Sequence, residues 1–120
     1  MPRKTTLSIE PRYRINYGRK FAFGPGKAEL LDHLARTGSI TEAAKAMEMS
    51  YMRAWQMVKS LESGFAEPLV RRLRGGHARG GAEVTPTGRE VLRLYRELED
   101  AEAAATKESR ARFAAFLRDA

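Results

Sequence analysis

Two serines constrain this chain more than anything else in it. Ser39 opens Ser39-Ile40-Thr41-Glu42, a capping-box pattern in which the serine oxygen bonds the third helical N–H while the glutamate reaches back. Ser50 is the natural N-cap of another helix. Only a short helix, about 40–47, fits before Ser50, and 48–50 then make a turn of three residues. Residues 39–63 therefore predict a helix-turn-helix. The first of its helices buries Ile40, Ala43, Ala44 and Met47, with the two alanines small enough for close packing. The second, 51–63, places Tyr51, Ala54, Trp55, Val58 and Leu61 on one apolar stripe. Its other face carries Met52, Arg53, Gln56, Lys59 and Ser60, with one carboxylate, Glu62, near the end. Trp55 is expected in the core, because large aromatics mostly bury.

The flanking segments complete an α+β pattern. Leu7, Ile9, Tyr13, Ile15 and Tyr17 alternate with polar residues, a strand signal, with Pro11 requiring an edge or bulge. Gly18-Arg19 can turn that strand into Lys20–Phe23, predicting an N-terminal hairpin over 7–23. Gly24-Pro25-Gly26 breaks the strand, and Leu30, Leu31 and Leu34 predict a helix over 25–37 stopped by Gly38. After Gly64 and Pro68, PLVRRLR and AEVT read as an extended pair over 69–85 around the tip GGHARGG. From Pro86 the chain turns helical again, a long C-terminal helix over 86–120 in which Phe113, Phe116 and Leu117 either close the same helix or form a separate short one.

The tip, RRLRGGHARGG, holds four arginines and four glycines and no acid. A nucleotide P-loop needs strand, G-x-x-x-x-G-K-[ST], then helix. Here no lysine follows the glycines and a strand-like segment intervenes, so the phosphate cradle is set aside. A basic hairpin directly after a helix-turn-helix is the order of a winged helix. Charge agrees: the net is +7, with 16 Lys+Arg against 9 Asp+Glu in residues 1–90 and 6 against 6 in 91–120. A basic body favours a polyanion. Cysteine is absent, so there is neither a disulfide framework nor a thiolate metal site. No nucleophile–base–acid set is apparent, and the chain reads as a non-enzyme without metal or cofactor. His33 and His77 read as solvated, and no apolar run reaches membrane-spanning length.

The expected partner is double-stranded DNA. Ser50, Tyr51, Met52, Arg53, Gln56 and Lys59 lie where such a helix meets the major groove, and Arg72, Arg74, His77 and Arg79 lie on the wing. Arginine can bond guanine bidentately and glutamine can bond adenine. Arg79 is expected to contact phosphate irrespective of sequence. A nonspecific architectural DNA binder and a protein-interaction adaptor are the competing readings.

GSITEAAKAMEMSYMRAWQMVKSLE, followed by PLV, RR, GG, GG and LYREL, resembles the N-terminal DNA-binding domain of the ModE family of molybdate-responsive transcriptional regulators. More distantly it is similar to the LysR-type winged helix. The resemblance covers roughly residues 7–100. It implies a DNA-binding domain over 1–85 that reads a pseudo-palindromic operator as a homodimer, in the cytoplasm and associated with the nucleoid. It also implies that 86–120 dimerises, which puts Val91, Leu94, Tyr95, Leu98, Phe113 and Phe116 at the interface. The family's C-terminal oxyanion-binding domains have no counterpart in these residues, so no molybdate site is expected in this chain.

Overall fold

A computed structural model describes residues 9–19, 21–73 and 81–118. The elements run β1 (Ile15–Tyr17), β2 (Phe21–Phe23), α1 (Pro25–Thr37), α2 (Ile40–Ala46), α3 (Tyr51–Ser63), β3 (Val70–Arg72), β4 (Ala82–Val84), α4 (Pro86–Ala105) and α5 (Lys107–Ala114). This is the expected α+β winged helix-turn-helix.

Each helix boundary has a local cause. Gly38 ends α1 in the left-handed region (φ 66°) and donates its N–H to the Leu34 carbonyl, a geometry glycine adopts without a Cβ penalty. Ser39 Oγ accepts from the Glu42 N–H at 3.0 Å, as the capping box requires. The reciprocal arm differs: the Ser39 N–H donates to Thr37 Oγ1 rather than to Glu42, whose carboxylate faces Lys45 at 3.9 Å. The corner after α2 is a Schellman motif, with Met49 N–H on the Ala44 carbonyl and Glu48 N–H on the Lys45 carbonyl. Glu48 takes its left-handed position at φ 55°. Ser50 Oγ then accepts from the Arg53 N–H and opens α3.

The core lies where α1, α2, α3 and the wing base converge. Leu30, Leu31, Leu34, Ile40, Val58, Leu61, Leu69 and Val70 are fully buried. β3 and β4 are antiparallel with Val70 opposite Val84, Arg71 opposite Glu83 and Arg72 opposite Ala82. A bridge from Gly81 to Ser39 ties this hairpin to the start of α2. The wing base is therefore continuous with the helix-turn-helix.

Two expectations change, and one left open is decided. The predicted strand over 7–17 forms a ladder only at Ile15–Tyr17, paired Ile15 to Phe23 and Tyr17 to Phe21. Its first residues, Leu7 and Ser8, and Lys20 lie outside the described residues. Pro11 has no N–H to give, and β2 is too short to pair the residues before Ile15. Tyr17 ends 80% exposed rather than on a buried face. The open choice at the C-terminus falls to two helices, Pro86–Ala105 and Lys107–Ala114, which Thr106, with φ −105°, separates. Its hydroxyl bonds back to the Glu102 carbonyl, a local competition with the helix ladder, while Arg110 donates to the Ala103 carbonyl. Met47, expected inside α2, is its C-cap and only partly buried.

Most of α5 lies away from the core and none of its residues is buried. The radius of gyration, 17.4 Å, accordingly exceeds the about 13.6 Å typical of a compact chain this long.

Candidate nucleic-acid interface

The outer face of α3 follows from its buried one. Ala54, Val58 and Leu61 point into the core. At 3.6 residues per turn, Met52, Gln56, Lys59 and Ser63 point farthest from them. Arg53 and Met57 occupy one shoulder of the helix, and Tyr51, Trp55 and Glu62 the other. Met52 is 58% exposed, and Arg53, Gln56 and Lys59 are exposed with it. No acidic residue stands in the first turn.

The wing-side shoulder is more structured than its sequence suggests. Trp55 is not a core residue: it is partly exposed and lines a groove with Ile40, Tyr51, Glu62, Arg72, Leu73 and Gly81. Lys59 Nζ lies 4.8 Å above its ring and the Arg72 guanidinium 5.5 Å from it. Alanine at position 54 and not at 55 faces the center of the core, so the bulky indole is left at the rim, where cations cover it. Arg72 Nε also donates to Glu62 Oε2 at 2.9 Å. Arg72 is thus held at the base of the wing beside α3. Arg71, its neighbour, turns away to line a separate groove with Glu67, Pro68 and Thr87. Arg74, His77 and Arg79 lie outside the described residues.

The opposite shoulder forms a second groove, of about 540 Å³. It is lined by Arg12, Arg14, Lys27, Arg53, Gln56, Met57 and the turn Gly24-Pro25-Gly26. Arg12 and Arg14 were legible only as the polar side of a strand; their spacing of two, on one face, was the available signal. Lys27 is the groove's internal anchor. Its ammonium donates to the Ala22 carbonyl at 2.6 Å and to Ser60 Oγ at 2.8 Å, and sits 4.6 Å from the Phe21 ring centre. Burial, and then the charge of Arg14, hold its pKa below the usual lysine value.

Among the described residues, no cluster of three or more His, Asp or Glu side chains is arranged to hold a metal ion. His33 sits beside α1's own charged groups, its Nδ1 2.7 Å from Arg36 and its Nε2 3.6 Å from Glu29. No helix is long and apolar enough to cross a membrane among the described residues.

A family profile described as "Bacterial regulatory helix-turn-helix protein, lysR family" matches residues 26–89, from α1 to the start of α4. The chain belongs to that family. Within it, the helix-turn-helix is ModE-like. It is 38% identical over 78 residues to "Molybdenum transport protein ModE" of Azotobacter vinelandii, covering 65% of this chain and 29% of that relative. It is 33% identical over 89 residues to "DNA-binding transcriptional dual regulator ModE" of Escherichia coli (strain K12), covering 74% of this chain and 34% of the relative. It is also 38% identical over 76 residues to "Molybdenum-pterin-binding protein MopB" of Rhodobacter capsulatus, covering 63% and 28%. This LysR-family chain thus spans about a third of the length of the curated relatives it matches.

Of the six residues assigned to the interface between copies, Tyr95 is misplaced. It is 1% exposed, inside its own protomer. Leu94 and Leu98, at 44% and 42%, are open, and Phe113 and Phe116 more so. Val91 is intermediate and lines an apolar groove of about 430 Å³ with Leu94, Leu98, Tyr17 and Phe65.

Proposed function

We propose that this chain acts as a sequence-specific DNA-binding transcriptional regulator of genes linked to molybdenum metabolism, binding a pseudo-palindromic operator as a homodimer. The observation that carries the reading is the outward face of α3, where Met52, Arg53, Gln56 and Lys59 stand exposed between the groove that holds Trp55 and Arg72 and the groove lined by Arg12, Arg14 and Lys27. Helix α3 enters the major groove, and Ser50 to Gln56 in its first turns meet base edges and the nearest phosphates. Arg72 secures the wing base against the backbone; Arg74 and Arg79, and His77 between them, are assigned to the same strand by charge and position in the sequence alone. The link to molybdenum follows from the names of the ModE and MopB relatives. Such a regulator works on the chromosome, in the bacterial cytoplasm. Catalysis has no part in this reading.

Selection of bound sites from random duplex tests it. Recovery of a two-fold-related motif is expected, and equal retention of random competitor would instead indicate an architectural binder. No binding at physiological salt would leave a protein-interaction adaptor. If a dimer neutralises roughly eight phosphates, log K should fall against log[salt] with a slope of about −7. Arg53→Ala should cost about 1–3 kcal/mol, or roughly 5- to 150-fold in Kd, and relax the preference at one position of each half-site.

Self-association through the C-terminal helices belongs to the same proposal. Leu94, Leu98 and Val91 on α4, Phe113 on α5 and Phe116 just beyond it are the assigned contacts; Tyr95 is withdrawn from that set. Sedimentation equilibrium on Leu94→Asp/Leu98→Asp should report a monomer that retains its fold, since neither side chain is buried in the protomer. A variant that still dimerises at micromolar concentration would remove α4 from the interface.

A further inference from the structure

We propose that the groove between the N-terminal hairpin and α3 binds the phosphodiester backbone of the duplex, through Arg12 and Arg14, on the strand opposite the one met by the wing. The inference rests on the DNA-binding reading above and adds to it a contact surface outside the helix-turn-helix and the wing.

The argument is geometric. A helix with its side chains is about 10–12 Å across, and the major groove of B-DNA is about 12 Å wide. A helix lying in that groove has a sugar-phosphate strand along each side. The protein must therefore present something to phosphate on both shoulders of α3. On one shoulder stand Lys59, Arg72 and the wing base. On the other, the surface next to Arg53 and Gln56 belongs to neither the helix-turn-helix nor the wing. It is the segment before β1, with Arg12 and Arg14, and the turn into α1.

The chemistry of that surface selects its occupant. Four cations, Arg12, Arg14, Lys27 and Arg53, line the groove, and among the described residues no carboxylate lines it. Cations brought together repel one another, so such a surface is held by the fold at a cost that a bound polyanion relieves. Guanidinium groups fit phosphate oxygens with two parallel N–H bonds. The groove's two poles divide the work. Lys27 keeps its ammonium on Ala22 and Ser60 and so fixes the floor. Arg12 and Arg14 are exposed, and among the described residues Arg14 spends only its Nε, on Asn16 Oδ1 at 3.0 Å. At about 540 Å³ and open to solvent along α3, the groove admits an extended backbone.

The test is duplex binding by Arg12→Ala/Arg14→Ala, measured on the selected site across a salt series. Losing two phosphate contacts per protomer should make the slope shallower by about 1.8 for each protomer bound. Affinity should fall on selected and random duplex by the same factor, and base preference should not change. Ethylation interference should lose signal at phosphates different from those lost with Arg72→Ala. Arg12→Lys/Arg14→Lys should keep the slope, and the melting temperature should show the alanine variant still folded. If the alanine variant binds with unchanged affinity and slope while Arg53→Ala weakens binding, the groove assignment is overturned and the DNA reading stands. If the wild-type chain binds no duplex, both fall. Inorganic phosphate and molybdate should show no saturable binding by calorimetry. Saturable binding of either that disappears in the double alanine variant would overturn the duplex as occupant in favour of a free oxyanion.

Discussion

Tyr95→Ala is expected to lower stability by about 3–5 kcal/mol, the range for removing a large aromatic from a closed core. Tyr95 packs edge-on against Phe23, with ring centres 5.1 Å apart, and lies 6.0 Å from Tyr13. Its hydroxyl donates to the Tyr13 carbonyl, a contact between residues 82 apart in sequence. One side chain thus joins α4, β2 and the segment before β1. Tyr95→Phe keeps the ring and should cost about 1 kcal/mol, the net worth of one hydrogen bond. Urea denaturation of both variants separates the two parts. Equal losses would mean that the hydroxyl, not the ring, holds the hairpin. The phenol also has a pH signature. Burial, and then Glu99, raise its pKa above the ordinary tyrosine value of 10.0. The unfolded chain therefore ionises first, so this contribution is whole below pH ~10 and is lost as pH rises through the folded value. Lys27, with a lowered pKa, runs the other way in the alkaline range, so the clean readout is the difference between wild type and Tyr95→Phe.

The second large effect is Gly88→Ala, which adds one methyl. A Cβ at Gly88 would stand 2.3 Å from the Leu69 carbonyl oxygen and 2.8 Å from Val84 Cγ1. Leu69 is fixed backbone: its N–H donates to the Leu61 carbonyl and its carbonyl accepts from the Thr85 N–H. Alanine favours the helix by about 1 kcal/mol over glycine, but overpacking against backbone costs about 1–3 kcal/mol. The backbone clash decides the sign, and a net loss of up to about 2 kcal/mol is expected in thermal or urea melts. Gly26→Ala is the control. Its Cβ would meet only Met57 Cε at 3.7 Å, an ordinary contact, so that substitution should be neutral or stabilising. A Gly88→Ala chain as stable as wild type would mean that α4 can slide away from the wing base.

Helices α1 and α3 were legible to their ends, because the signals that bound them are local. Gly38, Ser50 and Gly64 act on their immediate neighbours and need nothing from the rest of the chain. Tyr95 failed for the opposite reason. Periodicity puts Val91, Tyr95 and Leu98 on one side of a helix, but does not say whether that side meets its own core or a second copy. Only the hairpin's return onto α4 decides it. Trp55 failed similarly: its place in the stripe was right, but Ala54 holds the centre and the indole the rim. Arg12 and Arg14 read as strand surface because their nearness to Arg53 depends on how the hairpin folds against α1 and α3.

The wing base and α4 share one corner. Thr85 Oγ1 donates to the Pro68 carbonyl at 2.7 Å and accepts from the Gly88 N–H at 3.0 Å, while Gly88 lies against Leu69. Mechanically this corner is a clamped joint at the end of a rod. The 20 residues of α4 make that rod about 30 Å long. A tilt of about 10° at the joint moves the far end by about 5 Å, more than the ~3.4 Å step between base pairs. In a dimer coupled through α4, a stiff joint makes the protein a ruler. It would tolerate changes in the bases between half-sites far better than the insertion of one base pair.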